Sequence, residues 1–332
     1  MLPRLHVANL PTPLERHEAL GARFGLSLWV KRDDMTAGAE SGNKIRKLEF
    51  LLADARERGA DVVITCGGLQ SNHARATTLL AASLGMKALL FLRTTAPVLE
   101  LGPARRTGNV LLNRLAGAEI RLVSPETYRD RARVMADAAR ELAAAGRRPY
   151  VIPEGGSNGL GSLGYVEAMA EVRSQLDAGA ADGKSFDAIV HACGSGGTAA
   201  GVALGAAKHG VAKRVIAMAV CDDAPTFEQV IARIVDEARA LDPSLGPPAP
   251  LTVDDASKGP AYAVSSAEQR RTIIDVTRAS GLVLDPVYTG KAFHGLARLA
   301  AGELAGGRVL FLHTGGLPGL LADGEAFADE LP

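Results

Sequence analysis

DVVITCGGLQSNHARATTLLAASLGMKALLFLR, residues 61–93, is the stretch that decides the fold. DVVITCGG (61–68) is an unbroken apolar run rich in Val and Ile that ends on two glycines, the pattern of a strand buried on both faces. SNHARATTLLAASLGM (71–86) follows with helical spacing and with Ser71 or Asn72 placed to cap its start. KALLFLR (87–93) is the next buried run. Strand, helix and strand in so short a span make a βαβ unit, and its two strands must then lie parallel in one sheet.

Outward from this unit the alternation continues. TYRDRARVMADAARELAAAG (127–146) reads as one helix closed by Gly146, and RPYVIPEGG (148–156) as a strand that empties into a glycine-rich loop. FDAIVHAC (186–193) and RVIAMAV (214–220) are further buried strands, separated by a glycine loop and an alanine-rich helix, and RVLFLHTGG (308–316) is the last. The class is α/β, with open, mostly parallel sheets and flanking helices. Turns near Arg46 and Gly155 divide the chain into residues 46–154, a smaller inserted α/β domain, and residues 1–45 with 155–332, a larger one. The polar, Pro-rich ALDPSLGPPAP (240–250) reads as an exposed excursion.

The bulk numbers narrow the partners. A chain of 332 residues with 47% hydrophobic content buries a large core. Lys plus Arg (37) equals Asp plus Glu (37), so no charge bias points to nucleic acid or to an anionic membrane, and a small molecule is the expected partner. The start, MLPRLHVANLPTPLERHEAL, has prolines and charges where a signal peptide needs an apolar core, and no run is long and uncharged enough to span a bilayer. A cytoplasmic location is expected. Cys66, Cys193 and Cys221 lie in or at the ends of apolar runs, which suits reduced core thiols. His73, His191, His294 and His313 show no zinc-ligand spacing, so no metal is expected.

In open α/β sheets ligands collect beyond the carboxyl ends of the strands. Five loops there are rich: GGLQSNH (67–73), PEGGSNGLG (153–161), CGSGGTAAG (193–201), DPVYTGK (285–291) and HTGG (313–316). Gly194, Ser195, Gly196, Gly197 and Thr198 precede a helix, where free N–H groups, the helix dipole and two hydroxyls suit a phosphate. The same glycines serve equally as a tight strand-to-helix turn. Gly194, Gly196 and Ala199 also match the dinucleotide fingerprint, with Asp222 where a ribose-binding acid would follow, so a nicotinamide oxidoreductase is a rival.

Lys44 separates these readings. It opens the helix of SGNKIRKLE (41–49), held there by the apolar face of Ile45, Leu48, Leu52 and Ala55. A dinucleotide enzyme has no use for an amine at that entrance, whereas an aldehyde cofactor with a phosphate tail needs both a Schiff-base lysine and a phosphate cup. By itself Lys44 would be a solvated charge ahead of Lys47, Ser71 and Asn72 helix caps, and Tyr288 a half-buried aromatic. Neither Ser71 nor Ser195 sits in a G-x-S-x-G elbow, which disfavours a serine hydrolase.

KRDD (31–34), GNKIRKLEFL (42–51), GGLQSNHAR (67–75), GGSNGLGSLGY (155–165), GSGGT (194–198), LDPVYTGKA (284–292) and HTGG (313–316) recur in this order over nearly the whole chain. Together they resemble the fold-type II pyridoxal-phosphate enzymes, which share the tryptophan synthase β-like fold, in the branch of D-cysteine desulfhydrase, aminocyclopropane-carboxylate deaminase and L-cysteate sulfo-lyase. The resemblance implies pyridoxal 5'-phosphate as cofactor, Lys44 as its covalent anchor and the base, and Gly194 to Thr198 as its phosphate loop. It puts Asn72 at the ring oxygen, Tyr288 stacked on the ring, Lys47 close by, and Thr289 and Thr314 at the ring nitrogen's end. Ser71, with the backbone of Asn72 and His73, would hold the substrate carboxylate, with Gly156 and Ser157 also on the substrate. Tyr262 would be a second active-site tyrosine. A homodimer acting on a small amino acid is implied.

Two positions bear on the reaction. In the deaminase a glutamate follows the stacking tyrosine and a leucine precedes the last paired glycines; here these are Thr289 and Thr314. A carboxylate at the pyridine nitrogen keeps it protonated and strengthens the electron sink, whereas a hydroxyl does not. The expected reaction is therefore elimination of a good β-leaving group, closest to D-cysteine desulfhydrase, with L-cysteate sulfo-lyase, the deaminase and a non-catalytic cofactor-binding protein as alternatives. Three departures stand out: Ser41 replaces the first glycine of a GGNK turn, Gly197 stands where desulfhydrases commonly have alanine, and Asn158 is more similar to the sulfo-lyase.

Overall fold

The computed structural model describes residues 2–95 and 106–331. Along the first half of the chain run β1 (Leu14–Arg16), α1 (Glu18–Phe24), β2 (Ser27–Lys31), α2 (Lys44–Glu57), β3 (Val62–Gly68), α3 (Asn72–Ser83) and β4 (Lys87–Arg93). Next come α4 (Gly108–Leu115), β5 (Glu119–Val123), α5 (Pro125–Arg129), α6 (Arg131–Ala144), β6 (Pro149–Val151), α7 (Gly159–Asp177) and β7 (Ala188–Cys193). The remainder is α8 (Gly197–His209), β8 (Val215–Ala219), α9 (Ala224–Leu241), β9 (Leu251–Asp254), α10 (Ala267–Ser280), α11 (Thr289–Ala300), β10 (Arg308–Leu312) and α12 (Leu317–Ala322). Residues 61–93 form the expected parallel βαβ unit, with Val62 paired to Lys87 and Gly68 to Arg93.

Two sheets result. One has the order β1-β2-β10-β7-β8-β9, parallel except for β1, and the other has the parallel order β5-β4-β3-β6. Alternate side chains of each strand enter cores on opposite faces, as the two-residue repeat of a strand requires. On β3, Val63 packs with Ile45, Leu48 and Leu52 of α2 and Leu80 of α3, while Ile64 and Cys66 pack with Met135 and Ala138 of α6. On β10, Val309 and Phe311 meet Phe293 and Leu296 of α11, while Leu310 and Leu312 meet Tyr165 and Met169 of α7.

Strand order reverses direction twice. From β7 the chain adds β8 and β9 on one side, and β10 enters on the other; from β3 it adds β4 and β5, and β6 enters on the other side. Loops leaving such strands in opposite directions open a crevice at their carboxyl ends. The glycine loops after β3, β6, β7 and β10 all begin there, and the two crevices share one cleft.

Some local readings change. The helix expected over 127–146 is two, α5 and α6, because Asp130 at φ −102°, ψ 31° leaves the helical region between them. Arg46 lies within the first turn of α2, just after the turn at residues 42–43, and the chain passes from one sheet to the other through that turn and along α2. Residues 242–250 are irregular, as the prolines require. None of the described helices is long and apolar enough to cross a membrane.

Candidate active site

The cleft is lined by Lys44 and Asn43, by Gly67, Gly68 and Ser71 to His73 of the turn after β3, by Glu154 and Gly155, by Cys193 to Gly196 with Thr198, and by Tyr262, Tyr288 and Thr314.

Lys44 is the first residue of α2 and is half-buried. Its Nζ makes no hydrogen bond or ion pair with any described residue. Burial lowers its amine to about 8, against the weaker opposing pull of Cys193 and Glu154. An amine in that state is a nucleophile near neutral pH. Lys47, one turn on, is buried, and its Nζ donates to the Gly155 carbonyl (3.2 Å) and to Ser157 Oγ (3.1 Å). Burial, and then the charge of Lys44, hold its amine well below the ordinary value.

The turn that delivers Lys44 explains the serine at its start. Ser41 Oγ donates to the Asp34 carbonyl and accepts from Ala37 N–H (3.3 Å), while buried Arg75 donates to the Ser41 carbonyl (2.7 Å). Gly42, at φ 127°, brings Asn43 N–H to the Thr314 carbonyl (3.1 Å), which ties the entrance of α2 to the end of β10.

Two helix N-termini point into the cleft. At α8, Thr198 and Ala199 N–H have no partner among the described residues, and Asn43 Nδ2 donates to Thr198 Oγ1 (3.1 Å). Ser195 Oγ bonds Ser157 Oγ (2.8 Å), and Gly197 N–H donates to that same Ser157 Oγ (3.3 Å). A Cβ on Gly197 would lie 2.7 Å from Ser157 Oγ and 2.8 Å from Lys47 Nζ, so these two side chains occupy the room that an alanine methyl would need. At α3, Ser71 Oγ accepts from Ala74 N–H (3.2 Å), making Ser71 the cap, while Asn72 and His73 N–H remain without partners among the described residues. Exposed first-turn N–H groups and the helix dipole make each end an anion site.

Asn72 is oriented by a residue whose importance the sequence did not signal. Asn109 Nδ2 donates to Asn72 Oδ1 (2.9 Å) and to the Gln70 carbonyl (2.9 Å), leaving the Asn72 amide group to face the cleft. His73 is buried, with Nε2 bonded to Thr65 Oγ1 (2.9 Å), and burial holds it neutral, well below the ordinary imidazole value. Tyr262 and Tyr288 meet edge to face at 6.1 Å between ring centroids, with their hydroxyls 2.7 Å apart. A Cβ on Gly194 would lie 3.0 Å from Tyr288 Cε1, so the loop and this ring form one wall. Glu154, a carboxylate in the cleft that lies in the quoted PEGG loop, accepts from Tyr128 Oη (2.5 Å) and pairs with Arg131 (2.9 Å).

Thr314 lines the cleft, but Thr289 does not. Thr289 Oγ1 donates to Asp285 Oδ1 (2.7 Å) and accepts from Asp285 N–H (2.8 Å), and Asp285 also accepts from the backbone of Val287, Tyr288 and Thr289. Lys47, Gly156, Ser157, Gly197 and Thr289 thus lie one layer behind the lining residues. Ser157 supports the α8 loop and Lys47, and Gly156 packs between Lys47 and His73 of the first turn of α3. Asn158 caps α7 by accepting from Gly161 N–H (2.9 Å), and this helix-capping role carries no information about a leaving group. Cys66 and Cys193 are buried and Cys221 is half-buried, all as free thiols.

A free amine, an anion cup at α8, a side-chain amide at Asn72 and a tyrosine wall fit pyridoxal phosphate: Lys44 would hold its aldehyde, the Ser195 to Thr198 loop its phosphate, and Tyr288 its ring. A bifunctional D-cysteine desulfhydrase/1-aminocyclopropane-1-carboxylate deaminase of Arabidopsis thaliana is 42% identical over 319 residues, 95% of this chain and 78% of that one. A D-cysteine desulfhydrase of Yersinia pestis is 39% identical over 325 residues, 96% of each chain. A solved structure of an ACC deaminase homologue, 36% identical, superposes with a TM-score of 0.88 over 99% of this chain and 97% of that one. The family model described as pyridoxal-phosphate dependent enzyme matches residues 6–315, and the chain belongs to that family.

Proposed function

We propose that this enzyme is a lyase that removes a proton from Cα and a leaving group from Cβ of a small amino acid, and that its substrate is D-cysteine, which splits into sulfide and an aminoacrylate that water then hydrolyses to pyruvate and ammonia. Pyridoxal phosphate, when bound, supplies an aldehyde that joins amines and a ring that draws electrons from Cα. Lys44 anchors the cofactor, gives way to the substrate amine, and then takes the Cα proton on Nζ. The first turn of α8, with Ser195 and Thr198, holds the phosphate, and Lys47 with Ser157 backs it. Ser71 and the N–H groups of Asn72 and His73 hold the substrate carboxylate, Asn72 faces the ring oxygen, and Tyr288 packs on the ring. Tyr262 and Tyr288, sharing one hydrogen bond, deliver a proton to the departing sulfur.

The observation that carries this reading is the Thr314 end of the cleft. It presents a hydroxyl there, while the nearby Asp285 carboxylate is fully engaged by Thr289 and three backbone N–H groups. A ring nitrogen with only a hydroxyl beside it stays near neutral and makes a weak electron sink, enough to expel a good leaving group but poor for opening a cyclopropane. The names of the Arabidopsis and Yersinia relatives support the thiol substrate, although the first of them also includes the deaminase activity. The test is keto-acid release from both enantiomers of cysteine, cysteate, serine and β-chloroalanine, with aminocyclopropane-carboxylate scored by its own keto acid. Pyruvate with sulfide from D-cysteine is expected, lost in Lys44→Ala. Faster turnover of aminocyclopropane-carboxylate would overturn the Thr314 argument, and sulfite from cysteate in place of sulfide would change the leaving group.

A further inference from the structure

Lys291, in the first turn of α11, is fully buried, and nothing in the proposed reaction uses it. Its Nζ donates to three backbone carbonyls: Val220 (3.1 Å), Lys258 (2.7 Å) and Ala261 (2.8 Å). An ammonium has three N–H donors, so all are used, and among the described residues no carboxylate pairs with it. Converging carbonyl oxygens repel one another unless a cation sits among them. Val220 immediately follows β8, whereas Lys258 and Ala261 belong to the loop between β9 and α10, where Gly259 and Ala263 have positive φ of 74° and 58°. A non-glycine residue in that conformation is held by its surroundings, not by local preference.

That loop carries Tyr262 into the cleft. Tyr262 directly follows Ala261, and its hydroxyl meets that of Tyr288, which stands three residues before Lys291 at the mouth of the same helix. One helical turn therefore grips the loop twice, by a hydroxyl at the cleft and by an ammonium behind it. The loop is also held by Gln269 Nε2, which donates to the Ser257 carbonyl (2.8 Å), by Arg270 Nη1, which donates to the Ser265 carbonyl (2.8 Å), and by Arg93, whose guanidinium lies 5.1 Å from the Tyr262 ring centre. We propose that Lys291 is a positioning residue, a built-in cation that gathers these carbonyls and so holds Tyr262 against Tyr288; its effect on turnover rests on the reading that this tyrosine pair serves the reaction. Burial lowers the amine to about 8, with Cys221 and Asp285 opposing, so at pH 7 it remains mostly protonated.

The experiment uses the holoenzyme with Lys291→Met and Lys291→Ala. In Lys291→Met the amides of residues 255–265 should exchange with solvent about tenfold faster, with β7 and β10 unchanged. In the same variant kcat/KM for pyruvate release should fall about tenfold. Propylammonium supplies the atoms that Lys291→Ala removes, and it should restore loop protection and turnover together, which tetramethylammonium at equal ionic strength should not. Unchanged exchange in the loop, a loosened loop with unchanged kcat/KM, or no rescue by propylammonium each overturns the proposal. If Lys291→Met does not fold, Lys291→Ala refolded with propylammonium decides in its place: a protected loop supports the role, and an unprotected loop or no recovery refutes it. Loop exchange needs no substrate, so wild-type protein that releases no keto acid would count against the reaction and leave the exchange to judge the hold on Tyr262.

Discussion

At Lys44 the physical question is what makes an amine reactive at neutral pH. Desolvation at the first turn of α2 disfavours the charged form, and the pull of Cys193 and Glu154 is too weak to restore it, so the amine falls from an ordinary 10.5 to about 8. Cofactor-free protein should therefore capture pyridoxal phosphate at a rate that rises with pH through about 8 and then levels off. A solvated lysine would still be rising at pH 10 or so. Stopped-flow absorbance of the capture over this pH range measures it, and a midpoint near the solvated value would refute the burial argument. Ser41, the departure from the double glycine, is explained at the same scale: its hydroxyl ties the Asp34 to Ala37 turn, a bond that glycine cannot make.

At the level of elements, α2 is the member that must stay in place, since it presents Lys44 and Lys47 on one side. Its other side is fastened by Arg46, which donates to Asp33 (2.8 and 2.9 Å) and to Glu171 (3.0 Å). Lys31 (2.5 Å to Glu171), Thr12 and Tyr165 complete the cluster. Burial pushes the Asp33 carboxyl up, but Arg46 and Lys31 outweigh it and hold that carboxyl below its ordinary value. Arg46→Met leaves the buried Asp33 and the half-buried Glu171 with one cation between them, and should cost about 3 kcal/mol in urea unfolding. A loss within experimental error would show that the cluster relaxes or takes up water. KRDD and GNKIR are thus two halves of one ionic cluster; only Lys31, Asp33 and Arg46 being brought together in space makes the pairing visible.

For the whole molecule, the cleft exists because the switch points of two sheets face each other across α2 and α7. On the outer surface, α4 and α12 pack together and expose Leu111, Leu115, Leu317 and Leu321, with Leu115 and Leu321 73% and 72% exposed. Apolar side chains grouped on adjacent helices are the pattern of an association surface. If two copies pair, as the family resemblance implies, this face is where they meet. Light scattering should give the mass of a dimer, and Leu115→Asp with Leu321→Asp should yield a folded monomer. A monomeric wild type, or a double variant that remains dimeric, would refute this surface.

Local pattern determined much of this protein. The buried runs at 61–68 and 87–93, the capped helix between them and the glycine loops after the strands follow from spacing and residue type, which act over a few residues. Lys44, Ser71 and the Gly194 to Thr198 loop stood out in the sequence as a helix-start amine, a cap and a glycine turn, and only their combination with the other loops gave Lys44 and the glycine turn an expected role. Tertiary structure alone decided that Thr289 turns to Asp285 while Thr314 faces the cleft, that Asn109 aims Asn72, and that Ser157 backs the α8 loop. It also decided that Lys291 sits among carbonyls from two distant segments. Apart from the Thr289 contact with Asp285, which is local, each of these depends on groups far apart in the chain meeting at hydrogen-bond distance, and such a meeting leaves no periodicity in the sequence to read.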